Sequence, residues 1–299
     1  MTTSPSATLT SHRFTVHFWG VRGSIPTPGI STIRYGGNTS CVEMRCNGKR
    51  LIFDGGTGIR VLGDHLLSQM PLEAHIFFTH THWDHIQGFP FFTPAFVKGN
   101  TFHIYGKVSL NGDTIEKCLY NQMLDPNFPV PLGIMGSTKY FYSLEFGQVV
   151  DLGDGVTVET GRLNHPGEAM GYRVSWQNHA VVYATDTEHY PDRLDENLLH
   201  LARHADFLIM DCTYTDEEYW SKTSPKIGWG HSTWQEGVKV AKAAQVKHLV
   251  IFHHDPAHDD DFLDKVGAEL QVTFPNGIMA REGMVLAVTT QEEEPCPIG

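Results

Sequence analysis

The chain of 299 residues has no long apolar run, few cysteines and few basic residues. No apolar run approaches the roughly 20 residues that cross a membrane, and the N-terminal segment lacks the basic-then-apolar pattern of a secretory signal. The five cysteines are odd in number and scattered, which favours reduced thiols over a disulfide framework. We therefore expect a cytoplasmic protein that has no membrane partner.

The charge balance argues against an extended nucleic acid as ligand. Lys and Arg number 22 against 34 Asp and Glu, which gives a net charge of −12. Such a surface repels long polyanions, although it can still accept a single phosphate group. The 18 histidines are nearly as many as all Lys and Arg together, and imidazole is a common metal ligand. The composition therefore favours a metal site over a nucleic-acid surface.

The remaining pattern predicts one α/β (α+β) domain over residues 12–290, with a disordered leader at 1–11 and a solvated tail at 291–299. Short β-rich runs alternate with helical patterns, which is typical of mixed sheets covered by helices. The predicted strands are Phe14–Trp19, Ser40–Cys46, Leu51–Phe53, Ala74–Thr79, Thr101–Tyr105, Val156–Leu163, Gly171–Trp176, Ala180–Ala184, Phe207–Met210 and His248–Phe252. The predicted helices are Gly58–Gln69, Asp113–Gln122, Asp195–His204, Thr233–Ala244 and Asp259–Leu270.

The motif HTHWDH at 80–85 carries the strongest chemical signal, because it follows the apolar run HIFF at 75–78. In an extended or tightly turning loop, His80 and His82 project to one side, whereas Asp84 and His85 project to another. One short loop could then contribute to two adjacent cations, each of which needs further ligands from elsewhere. A solvated pair of histidines is the plainer alternative, and the density of ligand-type residues argues against it.

Three further ligand-type residues follow predicted strands at the points where those strands end. They are His165 in LNHPG, Asp186 in VVYATDTE and His253 in LVIFHHDP. An Asp carboxylate has two oxygens and can bridge two cations, whereas His supplies a neutral nitrogen. His254 is the alternative to His253 as the ligand from this segment. Side chains alternate between the two faces of a strand, so only one of the two can point to the site, and we favour His253.

In this order the motifs resemble those of the metallo-β-lactamase fold superfamily over nearly the whole chain. The resemblance implies a four-layer αβ/βα sandwich with two divalent metal ions between the sheets, usually Zn²⁺, with Mn²⁺ as the alternative. It assigns His80, His82 and His165 to one ion, Asp84, His85 and His253 to the other, and Asp186 to both. Asp54 in LIFDGGTG resembles the aspartate that ends an early strand and braces the metal loop.

Two more segments resemble the ribonuclease Z and cyclic-nucleotide phosphodiesterase branch of the superfamily. GHST at 230–233 is similar to the segment whose histidine assists phosphodiester cleavage, which implies that His231 is a general acid. In DFLIMDCTY, Asp211 stands where that branch usually has glutamate. An acidic partner would fix the tautomer of His231 and raise its basicity. The alternative is that His231 only begins a helix and Asp211 only ends a strand.

One departure from ribonuclease Z bears on the substrate. In ribonuclease Z the stretch between the residues that match His165 and Asp186 carries a long basic arm that grips tRNA. Here the interval is 21 residues and holds a simple strand pair. We therefore expect a small phosphodiester, above all a cyclic nucleotide, and no long nucleic acid. Ribonuclease Z-like proteins are usually dimers, so a homodimer is also expected.

The predicted activity is hydrolysis, in which hydroxide held between two metal ions attacks phosphorus and His231 protonates the leaving oxygen. Asp84 and Asp211 complete the predicted catalytic set. Arg22, Asn38 and Ser40 lie in Gly-rich segments and are candidates for substrate contact or for turn chemistry.

The alternative functions are a lactone or thioester hydrolase, a tRNA 3′-processing endonuclease, and a metal-dependent binding or sensor module. The segment 123–133 could be a lid, a dimer contact or a packed loop.

Overall fold

Two seven-stranded sheets form the centre of the protein in the computed structural model, which describes residues 14–289. The expected leader at 1–11 and tail at 291–299 lie outside the described residues. The strands are β1 Phe14–Gly20, β2 Cys41–Cys46, β3 Lys49–Phe53, β4 Glu73–Phe77, β5 Thr101–Lys107, β6 Thr138–Leu144, β7 Val149–Asp151, β8 Thr157–Leu163, β9 Ala169–Trp176, β10 His179–Ala184, β11 Phe207–Asp211, β12 His248–Phe252, β13 Gly277–Met279 and β14 Val285–Ala287.

The first sheet has the strand order β14-β1-β2-β3-β4-β5-β6, and the second has the order β13-β12-β11-β10-β9-β8-β7. Strands β3 to β6 run parallel, and so do β10 to β13. Parallel strands deliver their carboxyl ends to one edge of a sheet, where loops and ligand sites gather. The two parallel halves thus present two such edges to each other.

Helices cover the outer face of each sheet. The covering helices are α1 Gly58–Leu66, α3 Ile115–Gln122, α4 Glu196–Ala202, α6 Trp234–Ala243 and α7 Asp260–Thr273, and two further helices, α2 Trp83–Ile86 and α5 Asp216–Tyr219, are four residues long. One apolar cluster lies between the sheets, and two others lie between a sheet and its helices. These layers confirm the four-layer αβ/βα sandwich.

Local sequence explains where the elements begin. In β1, every second side chain is buried, because alternate residues of a strand face the core. The Thr233 side chain accepts a hydrogen bond from the backbone N–H of Glu236 at the start of α6, and Asp259 caps α7 in the same way through Phe262. Both helices therefore begin at the capping residues that the sequence offers.

All ten predicted strands and all five predicted helices are present, with ends shifted by a few residues. The first predicted helix was too long, because α1 ends at Leu66 and a 3₁₀ turn, Leu67–Gln69, follows it. The strands β6, β7, β13 and β14 and the short helices α2 and α5 were not predicted. Each of the four unpredicted strands lies at an edge of a sheet.

The segment 123–133 is a packed loop in part: Met123 is fully buried, and the Phe128 ring contacts Phe91 with centroids 5.5 Å apart.

The four cysteines in the described range are free thiols, in agreement with the expected reduced state. Among residues 14–289, no helix has the length and apolar character needed to cross a membrane.

Candidate metal centre and active site

Seven ligand-type residues converge between the sheets in two adjacent groups. The first group is His80, His82, His165 and Asp186, and the second is Asp84, His85, Asp186 and His253. Within each group, one potential ligand atom per residue lies within 4.8 Å of the others. The structure thus brings together all seven residues that the sequence analysis had proposed as metal ligands.

The HTHWDH loop divides its residues between the two groups. His82 precedes the short helix α2 in an extended conformation, and Asp84 and His85 lie in the single turn that follows. The change from extended chain to helix points His80 and His82 to the first group and the other two side chains to the second. This division is the one expected from the spacing of the motif.

The remaining residues of both groups follow the carboxyl ends of strands, as expected. His165 follows β8, Asp186 follows β10 and His253 follows β12. Asp186 and His253 have φ values of 59° and 63°. Non-glycine residues in this left-handed region cost about 1–3 kcal/mol each and persist where the surrounding structure imposes them. The strain at these two positions is consistent with a functional site.

The two oxygens of Asp186 face different groups. Its Oδ1 lies 3.8 Å from His80 Nε2 and 3.7 Å from His165 Nε2. Its Oδ2 lies 3.1 Å from His85 Nε2 and 3.3 Å from His253 Nε2. One carboxylate therefore stands between two sets of imidazole nitrogens, which is the arrangement that a bridging ligand requires.

The donor set fits divalent cations. Burial, together with the neighbouring His85, holds the pKa of His80 well below its ordinary value, and burial also lowers the pKa values of His82 and His165. These imidazoles are neutral, as metal ligands must be. His80 Nε2 is buried and has no hydrogen-bond partner among residues 14–289. Neutral nitrogens beside a carboxylate form the kind of site that zinc prefers.

In the second group, carboxylates surround His85. Burial alone would lower the pKa of His85, but Asp84, Asp186 and Asp54 outweigh burial and raise it. The reciprocal attraction lowers the pKa of Asp84 despite its burial. Asp84 and Asp186 thus concentrate negative charge at one buried point, where a divalent cation would be stabilised.

Asp54 holds the metal loop in place. One of its oxygens accepts a hydrogen bond of 2.8 Å from the backbone N–H of Thr79, and the other lies 2.8 Å from His85 Nδ1. The Tyr183 hydroxyl also donates to Asp54. Because His85 Nδ1 is engaged in this way, Nε2 faces the second group. Such a support orients a ligand and sets its tautomer.

A second histidine–carboxylate pair lies next to these groups. His231 Nδ1 is 2.7 Å from Asp211 Oδ2, and the His231 ring stacks on the His253 ring with centroids 4.9 Å apart. Burial alone would lower the pKa of His231, but Asp211 outweighs it and raises the pKa to about 9. The pair that the sequence analysis expected is therefore formed, and Nε2 remains available to a substrate.

The alternative between His253 and His254 is resolved in geometry. His253 Nε2 lies 3.3 Å from Asp84 Oδ2 and faces the second group. His254 Nε2 instead lies 2.9 Å from the carbonyl oxygen of Ala280, on the far side of the strand end. Only His253 is in a position to contact a cation in this centre.

The three candidates for substrate contact, Arg22, Ser40 and Asn38, are engaged within the fold or buried, which favours the alternative of turn chemistry. Arg22 is fully buried, and its guanidinium donates to the carbonyl oxygens of Gly36 and His258, so it joins distant segments of the chain. Ser40 is also fully buried. Asn38 is partly exposed, but its side chain donates to Glu282 rather than facing the centre. Arg22 therefore stabilises the fold through backbone carbonyl oxygens.

Several supporting residues were missed. The Thr213 hydroxyl lies 2.7 Å from Asp211 Oδ1 and 3.1 Å from His253 Nδ1, and so connects the two. The backbone N–H of Ser24 donates to Asp84, and the carbonyl oxygen of Gly230 lies 2.8 Å from His165 Nδ1. Only Thr213 had a sequence signal, since it follows Asp211 by two residues in DCTY.

Comparison with known proteins agrees with this geometry. Residues 49–254 match the family described as a beta-lactamase superfamily domain. A ribonuclease Z from Methanosarcina acetivorans is 25% identical over 330 aligned positions, which cover 93% of this chain and 99% of the relative. Its name conflicts with the expectation that no long nucleic acid is a substrate.

Two solved structures share the fold. The metallo-beta-lactamase fold protein YhfI from Bacillus subtilis superposes with a TM-score of 0.69 at 20% identity, over 92% of this chain and 99% of that one. A diphosphatase from the PhnP family gives a TM-score of 0.67 at 19% identity, over 92% of this chain and 97% of that one. With a family match over more than half of its length, the chain belongs to the beta-lactamase superfamily and is a metal-dependent hydrolase of the ribonuclease Z-like branch.

Proposed function

We propose that this hydrolase is a phosphodiesterase that acts on small phosphodiesters, with cyclic nucleotides as the favoured class. The observation that carries the proposal is the His231–Asp211 pair, whose Nδ1 and Oδ2 atoms are 2.7 Å apart and which adjoins the seven proposed metal ligands. A hydrolase of lactones or thioesters would need the metal ligands but no such proton donor. A binding or sensor module would need neither the donor nor its carboxylate partner.

The seven residues of the two groups are the proposed ligands of two divalent ions, preferably zinc, with Asp186 shared between them. When bound, the ions would make a hydroxide nucleophile available at neutral pH and neutralise charge on the phosphoryl oxygens. Asp84 and Asp186 provide the negative charge that holds the cations, and Asp54 and Thr213 fix the orientation of His85 and His253.

His231 is the proposed general acid. Its Nδ1 is bound by Asp211, so a proton on Nε2 can be donated to the departing oxygen. Asp211 also accepts hydrogen bonds from Thr187 N and Thr213 N, which keep its carboxylate fixed behind the ring. Asp211 raises the pKa of His231, which favours the protonated form of the imidazole. A protonated donor is what an alkoxide leaving group requires.

The chain between His165 and Asp186 supports the proposal of a small substrate. Strands β9 and β10 form a hairpin in which Trp176 pairs with His179, so two residues make the turn. No extended arm leaves the domain here. The alignment with the Methanosarcina ribonuclease Z runs over 330 positions, more than the 299 residues of this chain, so that relative has segments that this chain lacks. The net charge of −12 also disfavours a large polyanion.

RNA processing is the second candidate, because the matched relative is named ribonuclease Z. The same centre could cleave a phosphodiester of RNA if another surface bound the remainder of the molecule. The chemistry of the two candidates is identical, so they differ in the size of the substrate alone.

A hydrolysis screen of the metal-replete protein separates these functions. The panel contains cyclic mononucleotides, linear dinucleotides, a bis-aryl phosphate, lactones and a tRNA precursor. We expect kcat/KM for the best cyclic mononucleotide to exceed that for the lactones and the tRNA precursor by about 10-fold or more. A preference for the tRNA precursor would establish the second candidate instead, and a preference for lactones would remove the phosphodiesterase proposal.

A further inference from the structure

The loop that precedes His231 places an aromatic ring and a cation at the rim of the centre. Trp229 is two residues before His231, and the residue is 57% exposed. Lys226 Nζ lies 4.5 Å from the centroid of that ring and 5.5 Å from the centroid of Tyr214. Tyr214 in turn contacts the His231 ring edge-on, with centroids 6.1 Å apart. A chain of contacts thus connects the exposed indole to the proposed general acid.

The loop is held rigidly by one buried carboxylate. Glu188 accepts hydrogen bonds from the backbone N–H groups of Gly228 and Gly230, at 2.7 Å and 2.8 Å, and from the hydroxyl of Tyr219. Gly230 has φ 87°, and a Cβ there would lie 2.3 Å from His165 Nδ1. Glycine at this position lets the loop pack directly on a proposed metal ligand, so Trp229 is fixed relative to the centre.

Lys226 has an unusual environment for a cation in an acidic protein. Within residues 14–289, no carboxylate forms an ion pair with it, and its ammonium group lies against the two aromatic rings instead. A cation over the face of an indole restricts the orientation of that ring, and more than half of the Trp229 surface remains exposed. A ring that is ordered before binding loses less entropy when a ligand stacks on it.

We infer that Trp229, backed by Lys226, is a stacking platform for an aromatic ring on the leaving-group side of the substrate. This inference rests on the proposed function and narrows it: the preferred phosphodiester carries a nucleobase on the sugar whose oxygen His231 protonates. Trp229 is then a specificity-determining residue and Lys226 a positioning residue. An indole face accepts any base, so the platform selects nucleotides over phosphodiesters without a base, but not one base over another.

Equilibrium binding of adenosine 5′-monophosphate and ribose 5-phosphate to the metal-replete protein tests the inference. The two ligands differ only in the base, and binding is measured by calorimetry without turnover. We expect Trp229→Leu to weaken binding of adenosine 5′-monophosphate by about 5- to 100-fold and to leave binding of ribose 5-phosphate unchanged. Trp229→Phe keeps an aromatic face and is expected to retain most of the affinity.

The control is Trp220→Leu, because Trp220 is similarly exposed, at 51%, but packs on His189 and Tyr219 instead. Trp220→Leu should leave both affinities unchanged. The inference is overturned if the wild-type protein binds the two ligands equally, or if Trp229→Leu weakens both to the same extent. The binding assay does not depend on turnover, so it is independent of the hydrolysis screen. Base-dependent binding through Trp229, together with no phosphodiesterase activity in that screen, would refute the proposed function and leave the platform in place.

Discussion

Asp186→Ala is expected to release both metal ions together and to abolish hydrolysis. Asp186 Oδ1 faces the nitrogens of His80 and His165, and Oδ2 faces those of His85 and His253. Removal of this carboxylate withdraws one ligand oxygen from each group, together with the single negative charge that the two groups share. The measurement is metal content by plasma mass spectrometry after reconstitution and desalting, alongside turnover of the best substrate from the screen.

A matched control for this variant is Asp206→Ala. Asp206 is also buried, but it binds Lys247 and the backbone N–H of Ala180 at the opposite, amino-terminal end of the same parallel strands. This variant should keep both ions. Asp186→Asn, which preserves the shape of the side chain, covers the case in which the alanine variant does not fold. Full retention of one ion in a folded Asp186 variant would show that the carboxylate does not bridge.

His231→Ala is expected to keep both metal ions and the fold, yet to lower kcat for substrates with a poor alkoxide leaving group by about 10²–10⁴-fold. A nitrophenolate leaves without protonation, so the same variant should lose far less activity on an activated aryl phosphodiester. Asp211→Asn removes the charge behind the ring and should show a weaker version of the same selectivity. The measurements are kcat on the two substrates and metal content for each variant.

The control for the general acid is His200→Ala, because His200 is an exposed histidine on α4 that pairs with Glu159 far from the centre. It should leave both substrates unaffected. Equal losses on the alkoxide and nitrophenolate substrates in His231→Ala would assign His231 to binding or metal support, and its role as an acid would have to be abandoned.

The strands that the sequence predicted are the ones that are buried on both sides or fully paired. Those that it did not reveal, β6, β7, β13 and β14, are the four edges of the two sheets. An edge strand pairs on one side only and has more exposed side chains, as in β6 and β14, so its hydrophobic pattern is weak. Its position depends on pairing with a strand far away along the chain, which no local pattern records.

At the metal centre, too, residues with a local sequence signal were predictable, whereas residues that depend on distant contacts were not. The positions of His80, His165 and Asp186 were predictable because a ligand-type residue directly after a buried strand is a local signal. The role of Arg22 stayed open in the sequence because the carbonyl oxygen of His258, to which it donates, lies 236 residues away along the chain. Glu188 was overlooked for a similar reason, since its hydrogen bonds go to the loop at 228–230. Local chemistry identifies ligands, whereas residues that position the ligands depend on tertiary contacts.

The central claim is that this chain binds two divalent metal ions through seven residues between its sheets. The most direct test is the metal content of the wild-type protein, reconstituted with zinc or manganese, freed of excess ions and measured per chain. We predict close to two ions, because seven ligand-type residues in two groups exceed what one tetrahedral ion can use. A reproducible content of one ion or none in fully reconstituted protein would contradict it.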